Sequence, residues 1–124
     1  MSADAVRVKV PEALRVHQLH RETLLDAGRV PRALKELCWR YLAEDESLMS
    51  FETDPRLSEA ERAALGWTHA IAWDADGADD ALWRRLHEHF TEPELVELGY
   101  VIAYVMGQMH WERTLGIAPD PARP

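Results

Sequence analysis

The chain has 124 residues, of which 47% are hydrophobic and 29% are charged, and these fractions are typical of a globular protein and not of a disordered one. Its 14 basic and 22 acidic residues give a formal net charge of −8, which disfavours binding to a nucleic-acid backbone or an anionic membrane surface. The single Cys38 excludes an intrachain disulfide, no apolar run approaches the roughly 20 residues needed to cross a bilayer, and no apolar leader follows a basic N-terminal region. We therefore expect a cytoplasmic protein with no nucleic-acid or membrane partner.

Apolar residues recur mainly at every third or fourth position, and the only alternating stretch is VRVKV at residues 6–10. The pattern predicts an all-α fold of about five helices. A chain of this length is expected to form one domain, which we place at residues 1–117. The Pro-rich segment 118–124 is predicted to be a flexible tail.

Proline and glycine predict the ends of the first two helices. The first helix is predicted to begin at Pro11 and to end at Ala27, with Gly28 in a left-handed conformation. The second is predicted to begin near Pro31 and to end around Glu44.

Two capping boxes predict where the third and fifth helices begin. In each box a hydroxyl side chain precedes a glutamate by three residues, Ser58 with Glu61 and Thr91 with Glu94. The three later helices are predicted over residues 58–73, 80–90 and 91–115, and Gly116 follows the last of them.

The third and fifth predicted helices each carry two apolar faces. In the fifth helix one face is aliphatic and consists of Leu95, Leu98, Ile102, Val105, Met106 and Met109. The opposite face is aromatic and polar and consists of Tyr100, Tyr104, Gln108, Trp111 and Leu115. Because a small domain cannot bury both faces of two helices by itself, we expect a homo-oligomer or a ligand pocket to cover the second faces.

Four segments follow one another in a characteristic order. They are PEALRVHQLHRETLLDAGRVPRALKELCWRYLAE, LSEAERAALGWTHAIA, DDALWRRLHEHFTEPELVELGYVIAY and TLGI. This order of helices resembles the carboxymuconolactone decarboxylase family, which includes the AhpD-like alkylhydroperoxidases. The resemblance implies an AhpD-like helical bundle, with an oligomeric assembly.

The same resemblance implies that a catalytic segment is missing. AhpD-like members carry a C-x-x-C pair and a histidine after the segment that matches Glu36, whereas this chain has LMSF at residues 48–51. Peroxide reduction by a dithiol needs an attacking thiolate and a second, resolving thiol. Cys38 has no second cysteine, and its place beside Leu34 and Leu42 predicts a buried, unreactive thiol. We therefore do not expect a dithiol peroxidase.

Histidines on apolar helix faces are the first candidates for acid and base chemistry. His69 stands among Leu65, Ala72 and Trp73 on the second face of the third helix. His20 lies within the apolar stripe predicted to be the inner face of the first helix, which consists of Ala13, Val16, Leu24 and Ala27. Each can exchange a proton with a substrate near neutral pH. The alternative is a histidine that only bonds a neighbouring group in the core or at a subunit interface.

Three further residues are candidates for binding a substrate. Tyr104 and Gln108 lie one turn apart and could orient a small ligand by hydrogen bonds, and Trp73 adds an aromatic wall. An oligomer interface would present the same residue types. Glu36 is a candidate catalytic carboxylate only through the family resemblance, since it also stands four residues before Arg40, as in a surface ion pair.

No cofactor or metal is expected. The histidine pairs at 17 and 20 and at 87 and 89 are only fragments of a metal site, and the chain has neither a Gly-rich phosphate loop nor a G-x-S-x-G segment.

Two functions remain open from the sequence. The first is a cofactor-independent enzyme that decarboxylates, isomerises or cyclises a small organic substrate between helices, with His69, His20 and Glu36 as catalytic residues and with Tyr104, Gln108 and Trp73 binding the substrate. The second is a non-catalytic helical homo-oligomer of the same family, serving as a binding or scaffold protein.

Overall fold

A computed structural model describes residues 2–119 of the chain. In this range all regular structure is helical and no strand is present, which confirms the all-α prediction. The helices are α1 Ala3–Arg7, α2 Pro11–Asp26, α3 Arg32–Leu42, α4 Glu59–Trp73, α5 Asp80–His89 and α6 Glu92–Thr114. Short 3-10 turns lie at Glu46–Leu48, Phe51–Thr53 and Ala75–Gly77.

The five predicted helices correspond to α2–α6, and α1 is an additional short helix that the sequence did not predict. The Ser2 hydroxyl caps α1 by accepting a hydrogen bond from the backbone N–H of Ala5 at 3.1 Å. The alternating stretch at residues 6–10 overlaps the end of this helix, so its alternation does not reflect a strand. The predicted tail lies outside the described residues from position 120 onward.

Capping residues, prolines and glycines predicted most helix ends to within one or two residues of their positions in the structure. Both predicted capping boxes are present, at Ser58 with Glu61 and at Thr91 with Glu94. Gly28 has the predicted left-handed backbone, with φ of 92°. The second predicted helix ends earlier than expected, at Leu42, and Glu44 itself takes a positive φ of 62° in the turn that follows.

The core is built by α3, α4 and α6, and α5 packs against α4 on one side. Leu42, Leu86, Leu98 and Ile102 are almost completely buried in this cluster. The close approach of α4 and α6 depends on Gly99, because a Cβ at this position would lie 2.8 Å from the Trp67 ring. The predicted aliphatic face of α6 therefore lies at the centre of the domain.

The segment at residues 46–53, which contains the LMSF stretch, has a packing role. Leu48 and Phe51 are buried against Leu37, Tyr41 and Leu65. The two short turns thus cover one side of α3 and α4.

A buried lysine joins the end of α2 to α6. The Lys35 ammonium donates to the carbonyls of Leu24 and Ala27 at 2.6 and 2.7 Å and lies 3.0 Å from the Glu97 carboxylate. Burial would raise the pKa of Glu97, but its bonds to the backbone N–H groups of Arg29 and Val30 and to Lys35 hold it below its usual value. This network fixes the turn between α2 and α3 on α6.

The inner face of α2 differs from the predicted one. Ala13, Val16 and Ala27 are exposed, whereas Leu25 is buried and His17 is half-buried. Helix α2 packs beside α3 and bonds Tyr104 of α6 through His17. The side of α2 that faces the core is therefore the side that carries His17, and not the predicted apolar stripe.

In the described range, none of the helices combines the length and the apolar character needed to cross a membrane.

Candidate functional site

A cavity of about 230 Å³ lies between α1, α2, α3 and α6, and we call it the α2–α6 cavity. Its wall is mainly apolar and includes Leu24, Leu25, Trp39, Val101, Val105 and Met109. Polar side chains converge on it from three helices, namely Asp4, Arg7, His17, Arg21, Tyr104, Gln108 and Glu112. An apolar cavity with a few convergent polar groups is the usual form of a small-molecule site.

A histidine and a tyrosine share a hydrogen bond at this cavity. His17 Nδ1 and the Tyr104 hydroxyl are 2.7 Å apart, and the two rings are stacked with centroids 5.9 Å apart. The His20 ring meets Tyr104 edge-on at 5.1 Å. Helix α2 therefore places two imidazoles on one phenol.

The surroundings keep this pair uncharged. Burial, together with the nearby guanidinium groups of Arg7 and Arg21, lowers the pKa of His17 from 6.5 to about 4. Burial also raises the pKa of Tyr104 above its usual value of 10. At neutral pH the cavity thus contains a neutral imidazole, able to accept a proton, bonded to a protonated phenol.

Arg7 holds α1 over the end of the cavity. Its guanidinium bonds Asp4 at 2.9 Å, Gln108 at 2.7 Å and Glu112 at 2.9 Å, and it stacks on the Trp111 ring at 5.0 Å. Because a guanidinium only donates, the oxygen of the Gln108 amide must face Arg7. The NH₂ group of Gln108 is then left to donate to another acceptor.

A second basic side chain borders the cavity. The Arg21 guanidinium lies over the Trp39 ring, 5.9 Å from its centroid. The Trp39 indole N–H is buried and has no acceptor within the described part of the chain. Among the described residues Arg21 forms no salt bridge.

A second histidine–tyrosine pair borders another cavity, of about 490 Å³, between α3, α4, α5 and the 46–53 segment. The Tyr41 hydroxyl and His69 Nδ1 are 2.8 Å apart, and Trp73 packs on both rings, with centroids 5.8 and 5.7 Å away. Burial, followed by the negative charge of Glu52, raises the pKa of Tyr41. His69 itself is exposed.

The predicted site residues are divided between these two places. Tyr104 and Gln108 line the α2–α6 cavity, and His20 touches Tyr104 from its edge. His69 and Trp73 belong to the second pair. The structure therefore does not bring His69 together with His20 and Tyr104.

Glu36 lies at neither cavity. Its carboxylate pairs with Arg32 at 2.6 Å on the surface of α3, and not with Arg40, which bonds Asp45 instead. The surface ion pair that the sequence allowed is thus present with a different partner.

Four important side chains were not predicted as site residues: Arg7, His17, Trp39 and Glu112. A local signal existed only for His17, which stands four residues before Arg21 and therefore shares a helix face with it. Arg7 meets its partners across 101 and 105 positions of sequence, so no local pattern could identify it.

Cys38 is buried, as predicted, with 1% of its surface exposed. Burial raises the pKa of its thiol to about 12, despite the opposing effect of a hydrogen bond with Thr68. The thiolate needed for nucleophilic or redox chemistry is therefore strongly disfavoured.

Within residues 2–119, no three His, Cys, Asp or Glu side chains lie close enough together to hold a metal ion.

These features define an all-helical protein with an interhelical cavity that combines a neutral histidine–tyrosine pair with two arginines. Comparisons with protein-family models, with curated proteins and with solved structures gave no match.

Proposed function

We propose that the chain is a cofactor-independent acid/base enzyme whose substrate, a small organic molecule, binds in the α2–α6 cavity. The observation that supports this most directly is the 2.7 Å bond between His17 and Tyr104 inside a mainly apolar cavity. Removing water from such a pair strengthens its interactions with a bound substrate.

In this proposal His17 and Tyr104 move the proton. With its Nδ1–H bonded to the Tyr104 oxygen, the neutral imidazole takes a proton from the substrate at Nε2 and passes its Nδ1 proton to the phenol oxygen. The phenol at the same time gives its own proton to the substrate, so the two transfers are coupled and both groups end neutral. The NH₂ group of Gln108 and the guanidinium of Arg21 orient the substrate, and His20 supports the Tyr104 ring.

The reaction types in the proposal come from the resemblance to the carboxymuconolactone decarboxylase family. Decarboxylation, isomerisation and ring formation each require a proton to be added or removed at carbon or oxygen, and a positioned acid/base pair supplies it. The proposal transfers the leading role from His69 to His17, because only His17 shares a mainly apolar cavity with two guanidinium groups. A cytoplasmic location is also part of the proposal.

The test compares three histidines. A metabolite mixture is screened by mass spectrometry for a compound that the wild-type protein consumes, and turnover of that compound is then measured for His17→Gln, His69→Gln and His89→Gln. Loss of one acid/base group costs roughly 100-fold to 10,000-fold in rate, so His17→Gln should lose activity by this factor. His89 is exposed on α5 and is the control.

Each result has a defined meaning. Activity lost only with His17→Gln supports the proposal. Activity lost with His69→Gln and retained with His17→Gln would move the active site to the Tyr41–His69 cavity. Ligand binding without any turnover would favour the second candidate, a non-catalytic helical oligomer, which is supported by the exposed apolar residues of α6.

A further inference from the structure

Helix α1 contributes one part of the wall of the α2–α6 cavity. Ser2, which caps the helix, and Ala3, Asp4 and Arg7 within it all line the cavity. An isolated helix shorter than roughly 12 residues is only marginally stable in water, and α1 has five residues. Its position at the cavity therefore depends on the contacts that hold it to the rest of the domain.

A single side chain makes the polar contacts between α1 and α6. Arg7 is the buried residue of α1, whereas Ala5 and the following Val8 are exposed. Within residues 2–119, neither buried apolar cluster includes a residue of α1, and every side-chain hydrogen bond from α1 to another helix is donated by Arg7. Its bonds to Gln108 at 2.7 Å and to Glu112 at 2.9 Å are called here the Arg7 latch.

Val10 is the junction between α1 and α2. The backbone N–H groups of residues 8–10 all bond back to carbonyls of α1. The Val10 carbonyl instead accepts bonds from the N–H groups of Ala13 and Leu14 in the first turn of α2, and Pro11 has no N–H to bond. Val10 has an extended backbone, with φ of −124° and ψ of 91°, and its side chain is 60% exposed. A rotation about Val10 therefore moves α1 without breaking a backbone bond of either helix.

We propose that α1 is a lid that turns about Val10 and opens the α2–α6 cavity when the Arg7 latch is released. Opening exchanges the latch bonds for bonds to water, because the guanidinium, the amide and the carboxylate are all readily hydrated. A helix held by apolar contacts would lose them without such a replacement. The lid controls access to the cavity, and it does so whether or not the cavity is catalytic.

The first test follows the alkylation of two thiols by iodoacetamide in native buffer, using mass spectrometry of the digested protein. Met109 lines the cavity, directly follows Gln108 on α6 and is 4% exposed, so Met109→Cys introduces a thiol beside the latch. Cys38 is 1% exposed and does not line the cavity, so it reports global unfolding of the same molecules. Because α1 opens while the core stays folded, the introduced thiol should react at least about tenfold faster than Cys38.

The second test removes the latch in the same background. Adding Arg7→Met to Met109→Cys removes two charge-assisted bonds and should raise the alkylation rate of the introduced thiol by about tenfold or more. Adding Lys9→Met, at an exposed position, should leave that rate unchanged.

Two results would overturn the proposal: equal alkylation rates of the introduced thiol and Cys38 without the second substitution, or an introduced thiol whose rate does not change with Arg7→Met. Val101 also lines the cavity and is 1% exposed. If Met109→Cys does not fold, Val101→Cys changes the side-chain volume less and allows the same two comparisons.

Discussion

The two histidine–tyrosine pairs of this protein have nearly the same bond length and different surroundings. His17 and Tyr104 are 2.7 Å apart, and Tyr41 and His69 are 2.8 Å apart. The first imidazole is half-buried next to two guanidinium groups, whereas the second is exposed on α4. A hydrogen bond alone therefore does not define an acid/base site, because burial and nearby charge also decide which protonation state is present.

The largest effect is expected from removing Arg7, which acts on the first pair only. Arg7→Met leaves Gln108 and Glu112 without their common partner and should lower the free energy of unfolding by about 2–4 kcal/mol. Because Arg7 lowers the pKa of His17, the same change should move that pKa up toward 6.5. Urea unfolding and an NMR titration of the imidazoles measure both effects.

Lys9→Met, an exposed substitution two residues further along, is the control for Arg7→Met. A loss of stability equal to that of the control, with His17 still titrating at about 4, would show that Arg7 influences neither the fold nor the pair.

The next effect concerns the pH dependence of stability. The folded-state pKa of His17 is about 4, below the value of 6.5 for the unfolded chain, so between these values the unfolded state binds the proton first. The contribution of His17 to stability is therefore fully present above pH 6.5 and is lost as the pH decreases toward 4, by at most about 3 kcal/mol and by less where solvent screens the site.

Replacing His17 by Phe should remove this contribution. The unfolding free energy of the wild type should then fall relative to that of His17→Phe as the pH is lowered from 7 to 4, when both are measured by urea titration. A difference that stays constant over this range would place the pKa of His17 near that of a free histidine.

The smallest effect on the free energy of unfolding is expected from removing the hydroxyl group of Tyr104 or of Tyr41. Tyr104→Phe leaves a half-buried imidazole nitrogen without its partner and should cost about 1–2 kcal/mol, whereas Tyr41→Phe leaves an exposed His69 that water can satisfy and should cost about 0.5 kcal/mol. Thermal unfolding of the two variants compares them directly. Equal costs would mean that the two sites differ less in solvent access than their structures indicate.

Structural features that depend on residues close together in the sequence were predicted correctly. The capping boxes at Ser58 and Thr91 and the left-handed Gly28 depend on backbone groups within one turn, so the sequence shows both partners together. The burial of Cys38 followed from its position on an apolar helix face. Helix α1 was missed because five residues are too few to show a period.

The site was predicted only in part. Tyr104 and Gln108 were recognised from the mixed face of α6, but that face is divided, since α1 and α2 cover these two residues and leave Tyr100 and Trp111 exposed. A helical period shows which residues share a face and does not show what packs on it. For the same reason His69 and His20 were expected to act together, although His20 contacts Tyr104 and His69 bonds Tyr41.

The sequence by itself determined the class of fold and the positions of five helices, because each follows from composition or from contacts within about one helical turn. Only the tertiary structure decided that His17 acquires a lowered pKa. His17 meets Tyr104 across 87 positions, and Arg7 meets Glu112 across 105, and both contacts exist only after α1 and α2 have packed on α6. Burial and charge at a site are properties of the packed helices and cannot be read from any one of them.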